Sequence, residues 1–232
     1  MFEIFISYCF RNPVSCIAVF ITLVPLILII LKKAYIDPTF RLLLVYLTVK
    51  LIIDIIMVRS AANHENNILF FNLAIPVNYA LLGGMFYYKF NSRTLKKGII
   101  GSMVGFLAFT VWDILNSNPV ISDLHNHRAV LFAKTVEGVL IITLILLFFY
   151  ELIKSLRIPN LLTFPFFWVC SGLLLYYSSF IFIAPVLHYT ATWNHSVDMG
   201  LTETIPTIFE IVCALCFGIG IYHFSAGHYA KQ

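Results

Sequence analysis

The sequence predicts an all-α integral membrane protein: a single seven-helix transmembrane bundle over residues 1–232, with the N-terminus outside and the C-terminus in the cytoplasm. Three observations predict it. Only 11% of residues are charged and 60% are hydrophobic, against about 25% charged in soluble domains. Seven segments are apolar over roughly the 20 residues that cross a bilayer. Lys and Arg fall unevenly between the loops on alternate sides of those segments.

The expected spans are 13–33, 39–59, 67–90, 98–116, 129–153, 162–187 and 204–226. Stretches such as Ile21-Thr-Leu-Val-Pro-Leu-Ile-Leu-Ile-Ile-Leu31 are apolar on every face. A transmembrane strand would alternate apolar and polar residues, and only a helix satisfies the backbone of such a segment inside lipid. The first apolar run ends in Lys32 and Lys33, and Met1–Pro13 has no basic leader, so it reads as an uncleaved span. Loops 1–2, 3–4 and 5–6 with the C-terminal tail hold Lys32, Lys33, Arg41, Lys89, Arg93, Lys96, Lys97, Lys154, Arg157 and Lys231, whereas the opposite side holds Arg11, Arg59 and Arg128. The positive-inside rule makes the richer side cytoplasmic. The loops are too short to hold a folded domain of about 50 residues. Activity is therefore expected in the bundle, at its outer rim, or through another chain.

Pro25, Pro76 and Pro185 interrupt spans 1, 3 and 6. Ala80/Gly84, Ala214/Gly218 and Cys216/Gly220 place small residues four apart, where neighbouring helices can approach closely. The five cysteines lie in apolar or membrane-proximal sequence. They do not read as a disulfide framework, and Cys213 and Cys216 read as small packing residues. A net charge of +4 without a dense basic face excludes nucleic acid as a partner.

Ionisable side chains are costly inside a bilayer and mark functional cavities. There are six: Lys50 and Asp54 on span 2, Asp113 on span 4, Lys134 and Glu137 on span 5, and Glu210 on span 7. At ~1.5 Å per residue all six fall about 5–13 Å below the outer rim. Lys50/Asp54 and Lys134/Glu137 each share a helix face. Two readings fit these charges. One is a pair of self-neutralising intrahelical ion pairs with two rim carboxylates. The other is an outward-facing polar cavity lined by spans 2, 4, 5 and 7, completed by Asn72, Asn78, Tyr176 and Tyr177. Four carboxylates against two ammoniums would leave that cavity negative when all are ionised, so it would prefer a cation, a proton or an amine. Mostly apolar walls with a few convergent polar groups are usual for small-ligand pockets.

Asp123, His125 and His127 alternate in loop 4–5. This is a weak divalent-metal or acid-sensing pattern, and an ordinary solvated loop explains it as well. No cofactor is expected. Span 7 lacks the lysine of a retinal Schiff base, and no HExxH, GxSxG or P-loop occurs.

The stretch Phe164-Pro-Phe-Phe-Trp-Val-Cys-Ser-Gly-Leu-Leu-Leu-Tyr-Tyr177 resembles the FW-x-x-x-G-L-L-x-Y/F-Y/F signature of a family of small bacterial seven-span inner-membrane proteins. Phe71-Asn-Leu-Ala-Ile-Pro76, Phe86-Tyr-Tyr-Lys89 and Phe148-Phe-Tyr-Glu-Leu152 are similar to it as well, so the resemblance runs over essentially the whole chain. It carries no assigned biochemical activity. It implies the membrane input half of a signalling system, often beside a sensor kinase. Many relatives carry an acidic residue in mid-span 3, where this chain has Asn78.

The leading expectation is a receptor-like sensor in the bacterial inner membrane. It would bind a small ligand or cation from outside and be read by a cytoplasmic or membrane signalling partner at loops 3–4 and 5–6. Besides that partner, it would contact membrane lipid. A small-molecule or ion transporter or channel is the alternative, and an outer-leaflet membrane enzyme the third reading. No catalytic residues are assigned.

Overall fold

The structure, a computed structural model, describes residues 2–63, 65–118, 127–155, 161–192 and 199–224. Among the described residues the chain is helical throughout: α1 (Phe2–Arg11), α2 (Pro13–Ile21), α3 (Leu23–Leu31), α4 (Pro38–Ala62), α5 (Ile68–Lys89), α6 (Arg93–Ser117), α7 (Leu131–Ser155), α8 (Pro165–Thr192) and α9 (Met199–Tyr222). Among the described residues, six helices are long and apolar enough to cross a membrane: α2 with α3 taken together, then α5, α6, α7, α8 and α9. Helix α4 occupies the expected second span, but Arg41, Lys50, Asp54 and Arg59 make it more polar than those six.

The first expected span is broken at Thr22. Pro25 has no N–H for the carbonyl four residues earlier, that of Ile21, and its ring crowds that carbonyl. Helix α2 therefore ends at Ile21, and the Thr22 hydroxyl donates to the Ala18 carbonyl at 3.1 Å. Pro76 and Pro206 are absorbed within α5 and α9 without a break. Helix α6 starts at Arg93, ahead of the expected residue 98, because Ser92 caps it by accepting from the Leu95 N–H at 3.4 Å. Asp37 caps α4 in the same way, accepting from Thr39 N–H at 2.7 Å with Pro38 at the first helical position, where no N–H is needed.

The cysteine expectation is corrected at the N-terminus, where Cys9 and Cys16 are disulfide-bonded. Along an unbroken helix, residues seven apart lie roughly 10 Å apart. The turn at Asn12-Pro13 separates α1 from α2 and brings the two Cα atoms to 5.6 Å. The bond sits in a small apolar cluster with Val19 of α2 and Val58 near the C-terminus of α4, against Tyr8 and Leu51.

The helices form a ring. Helix α4 packs on α3 and α5, α5 on α7, α7 on α8, α8 on α9, and α9 on α2 and α3. Helix α6 sits outside this ring, against α5 and α7. One end of the ring, holding the N-termini of α4 and α8 and the C-termini of α5, α7 and α9, is filled by aromatic rings. Phe86 packs edge-on against Phe148 and Phe166, Phe148 stacks on Phe164, and Phe40 meets Phe224. Lys89 pairs with the buried Asp37 at 3.1 Å at the same end.

Helices α8 and α9 approach each other closely, and glycines make it possible. A Cβ on Gly172 would meet the Cys216 Cβ at 2.9 Å, and one on Gly220 would meet the Pro165 carbonyl oxygen at 2.6 Å. A backbone oxygen cannot swing away as a side-chain tip can. Gly220→Ala is therefore expected to lose about 1–3 kcal/mol by overpacking, more than the roughly 1 kcal/mol that alanine gains in helix propensity. A lower melting temperature of the detergent-solubilised variant checks this, and an unchanged one refutes the close approach.

Candidate functional site

The site follows from the face that α4 turns into the ring. Tyr46, Lys50, Ile53, Asp54 and Met57 recur every three or four residues, so they share one face of the helix. They line a cavity of about 180 Å³ together with Phe71, Ala74, Ile75 and Asn78 of α5, Lys134 of α7, Tyr176 and Tyr177 of α8, and Glu210 of α9. The cavity lies toward the end of the ring opposite the aromatic plug.

Lys50 organises it. Its ammonium donates to Asp54 one turn along α4 and also to Glu210 on α9. One cation thereby ties together two helices that flank α3. The side chains of Lys50, Asp54 and Glu210 remain 15%, 20% and 22% exposed, so this cluster is not sealed.

Lys134 forms the second cluster, behind the first. Its ammonium donates to Glu137 Oε2 at 2.8 Å, and the Tyr177 hydroxyl donates to Glu137 Oε1 at 2.7 Å. Glu137 is fully buried. The Lys134 ammonium also lies 5.2–5.7 Å from the ring centres of Tyr176, Tyr177 and Phe180. Cation–ring attraction at that range adds to the ion pair. Across both clusters, three carboxylates (Asp54, Glu137, Glu210) face two ammoniums (Lys50, Lys134), leaving one negative charge when all are ionised.

Asn78 lines the cavity, and its side-chain oxygen is shielded from solvent with no hydrogen-bond partner among the described residues. Three other expected cavity residues do not line it: Glu137 lies behind Lys134, and Asp113 and Asn72 are placed elsewhere. Asp113 belongs to α6, which lies outside the ring, and its carboxylate accepts the Ala133 N–H at 2.8 Å. A carboxylate there satisfies one of the unpaired N–H groups in the first turn of α7 and complements the helix dipole. Asn72 also turns to the backbone: it donates to the Arg128 carbonyl at 3.0 Å and accepts from Val130 N–H at 3.1 Å. Asn118 grips the same segment through Arg128 N–H at 2.7 Å. These three side chains fix the entry into α7, and through it the position of Lys134. The expected lining by span 4 is corrected accordingly. The lining is supplied by α4, α5, α7, α8 and α9.

Sequence reading missed Tyr46, Ile53, Met57, Phe71, Ala74 and Ile75 as lining residues. For Tyr46, Ile53 and Met57 the signal was present, since they continue the helical spacing of Lys50 and Asp54. Of the loop 4–5 pattern, Asp123 and His125 lie outside the described residues. His127 is buried, and its backbone carbonyl accepts from Asn66 Nδ2 at 3.2 Å. No group of three or more His, Cys, Asp or Glu that would hold a metal ion occurs among the described residues.

Comparison with protein-family models, with curated proteins and with solved structures gives no match for this chain.

Proposed function

We propose that this protein is a seven-span, receptor-like sensor of the bacterial inner membrane, with its N-terminus outside. A small ligand or cation enters the charged cavity from the outer face, and a cytoplasmic or membrane partner such as a sensor kinase reads the response at the inner ends of the helices. The observation that carries this reading is Lys50, which ties α4 to α9 inside a cavity that is not sealed. A ligand that competes for Glu210 loosens that tie and changes how α9 sits in the ring. The aromatic packing at the other end favours transmission over passage, because it fills the route a transported substrate would take.

Helix α4 counts as the seventh span in this reading. Its 25 residues reach about 37 Å, enough to cross the hydrocarbon core, and the Lys50 and Asp54 side chains face the cavity rather than lipid. The Lys and Arg asymmetry supports the orientation. So does the Cys9–Cys16 bond, since disulfides persist on the oxidising side of a bacterial membrane and are rare in the cytosol.

Glu210→Gln mimics the released state without any ligand. In lipid nanodiscs, hydrogen exchange at the inner end of α9 is expected to rise at least about tenfold in this variant, which corresponds to about 1.4 kcal/mol of lost local stability. The wild-type protein in sealed liposomes is expected to pass neither sodium nor potassium. Unchanged exchange at that end, or a measurable ion flux, defeats the sensor reading. An N-terminal epitope that stays inaccessible on intact spheroplasts defeats the orientation.

A further inference from the structure

We propose that the ligand of this cavity is a small alkylammonium ion: one positive charge with N–H donors, carried on a short apolar body. The inference rests on the sensor reading above and names the chemistry that the site selects. Four features converge on it.

The charge count comes first. With all groups ionised, the Lys50–Asp54–Glu210 cluster carries one uncompensated negative charge, which a monocation neutralises, and the Lys50 and Lys134 ammoniums that line the cavity oppose a divalent one. Second, Asn78 Oδ1 is an acceptor shielded from solvent with no partner among the described residues. A buried acceptor left unmade costs free energy that a ligand N–H recovers. A quaternary ammonium has no such hydrogen, and a bare metal ion has no apolar part. Third, a volume of about 180 Å³ is more than a desolvated monovalent ion needs and less than the ~300 Å³ at which pockets for drug-sized molecules begin. Fourth, the wall beside Asn78 is apolar, made of Ile53, Met57, Phe71, Ala74 and Ile75. It suits a hydrocarbon chain of a few carbons. A zwitterion fits worse. Its carboxylate would have to draw Lys50 from Asp54 and Glu210, or Lys134 from Glu137, and it brings no net charge to offset the cavity's own.

The seated ammonium would share Glu210 and Asp54 with Lys50 and, once the Asn78 amide turns toward it, donate to Oδ1. That places the ligand's charge at the α4–α9 tie and its hydrocarbon against α5.

Isothermal titration of the nanodisc-embedded protein at pH 7 tests this with n-butylammonium, tetramethylammonium, norvaline and butyrate. Saturable one-to-one binding of n-butylammonium is expected, with tetramethylammonium and norvaline at least tenfold weaker and butyrate silent. Asn78→Leu is expected to weaken n-butylammonium at least tenfold without lowering the melting temperature, because the acceptor it deletes has no partner among the described residues; Asn78→Asp keeps an acceptor and adds a negative charge, so it binds n-butylammonium at least as tightly as the wild type. Equal affinity for tetramethylammonium, tighter binding of norvaline or butyrate, unaltered affinity in Asn78→Leu, or no saturable heat with n-butylammonium each overturn the alkylammonium assignment. The sensor reading stands or falls separately, on the ligand-free exchange of Glu210→Gln.

Discussion

Lys50→Met is expected to destabilise the detergent-solubilised protein by about 3 kcal/mol. Methionine fills nearly the same volume as the lysine stem, so packing is preserved and the loss is electrostatic. It leaves Asp54 and Glu210 facing the space the ammonium occupied, two carboxylates from different helices without the cation between them. Removing one partner of a buried pair costs about 3–5 kcal/mol. The low end applies here because these side chains keep 15–22% of their exposure and water screens part of the repulsion. For a chain of this length, 3 kcal/mol corresponds to a melting temperature lower by roughly 6–12 °C. Lys50→Met/Glu210→Gln removes the repulsion with the cation and is expected to recover more than half of the loss. A Lys50→Met protein that melts with the wild type would mean that the α4–α9 tie contributes nothing to stability, and a double variant as unstable as the single one would assign the loss to packing.

What was legible beforehand follows a physical line. Membrane-spanning character was legible because lipid imposes one rule on every segment: apolar on all faces and long enough. Hence α5, found at Ile68–Lys89, was expected at 67–90. Intrahelical pairs were legible because 3.6 residues per turn fixes which side chains share a face, and both Lys50–Asp54 and Lys134–Glu137 form. Contacts between helices were not. Nothing local to residue 50 or residue 210 says that they meet. Asp113 shows the same gap from the other side. A carboxylate near the rim of a helix can face a cavity or cap the next helix, and only the placement of α6 outside the ring decides for the cap. The Cys9–Cys16 bond was illegible for a related reason, since its partners meet only because the chain turns at Asn12-Pro13. The stretch from Phe164 to Tyr177 has structural work of its own: Trp168 donates to the Leu162 carbonyl at 2.8 Å, Gly172 lets α9 approach, and Tyr177 holds Glu137.

Glu137→Leu is expected to be the most damaging single change in the bundle, and its rescue separates architecture from function. Glu137 is fully buried, and its carboxylate takes hydrogen bonds from both Lys134 and Tyr177. Leucine leaves the Lys134 ammonium, only 6% exposed, without that counter-ion, and leaves the Tyr177 hydroxyl without its acceptor. An uncompensated buried charge costs about 3–5 kcal/mol and an orphaned hydroxyl about 1–3 more, enough to abolish accumulation of folded protein in a marginally stable chain. The triple variant Lys134→Met/Glu137→Leu/Tyr177→Phe removes every member of the cluster at similar volume, and such apolar replacements of buried ion pairs are often neutral or stabilising. Its melting temperature is expected to return to within a few degrees of wild type. Lys134 lines the cavity, so the two roles of the cluster then come apart. If the cluster only holds α7 to α8, the triple variant binds n-butylammonium as the wild type does. Losing Lys134 together with Glu137 leaves the cavity's net charge unchanged, so a change in affinity beyond about tenfold, in a protein that melts normally, would come from the placement of these groups around the ligand. That outcome would make the Lys134–Glu137 pair part of the binding site as well as of the scaffold that carries it.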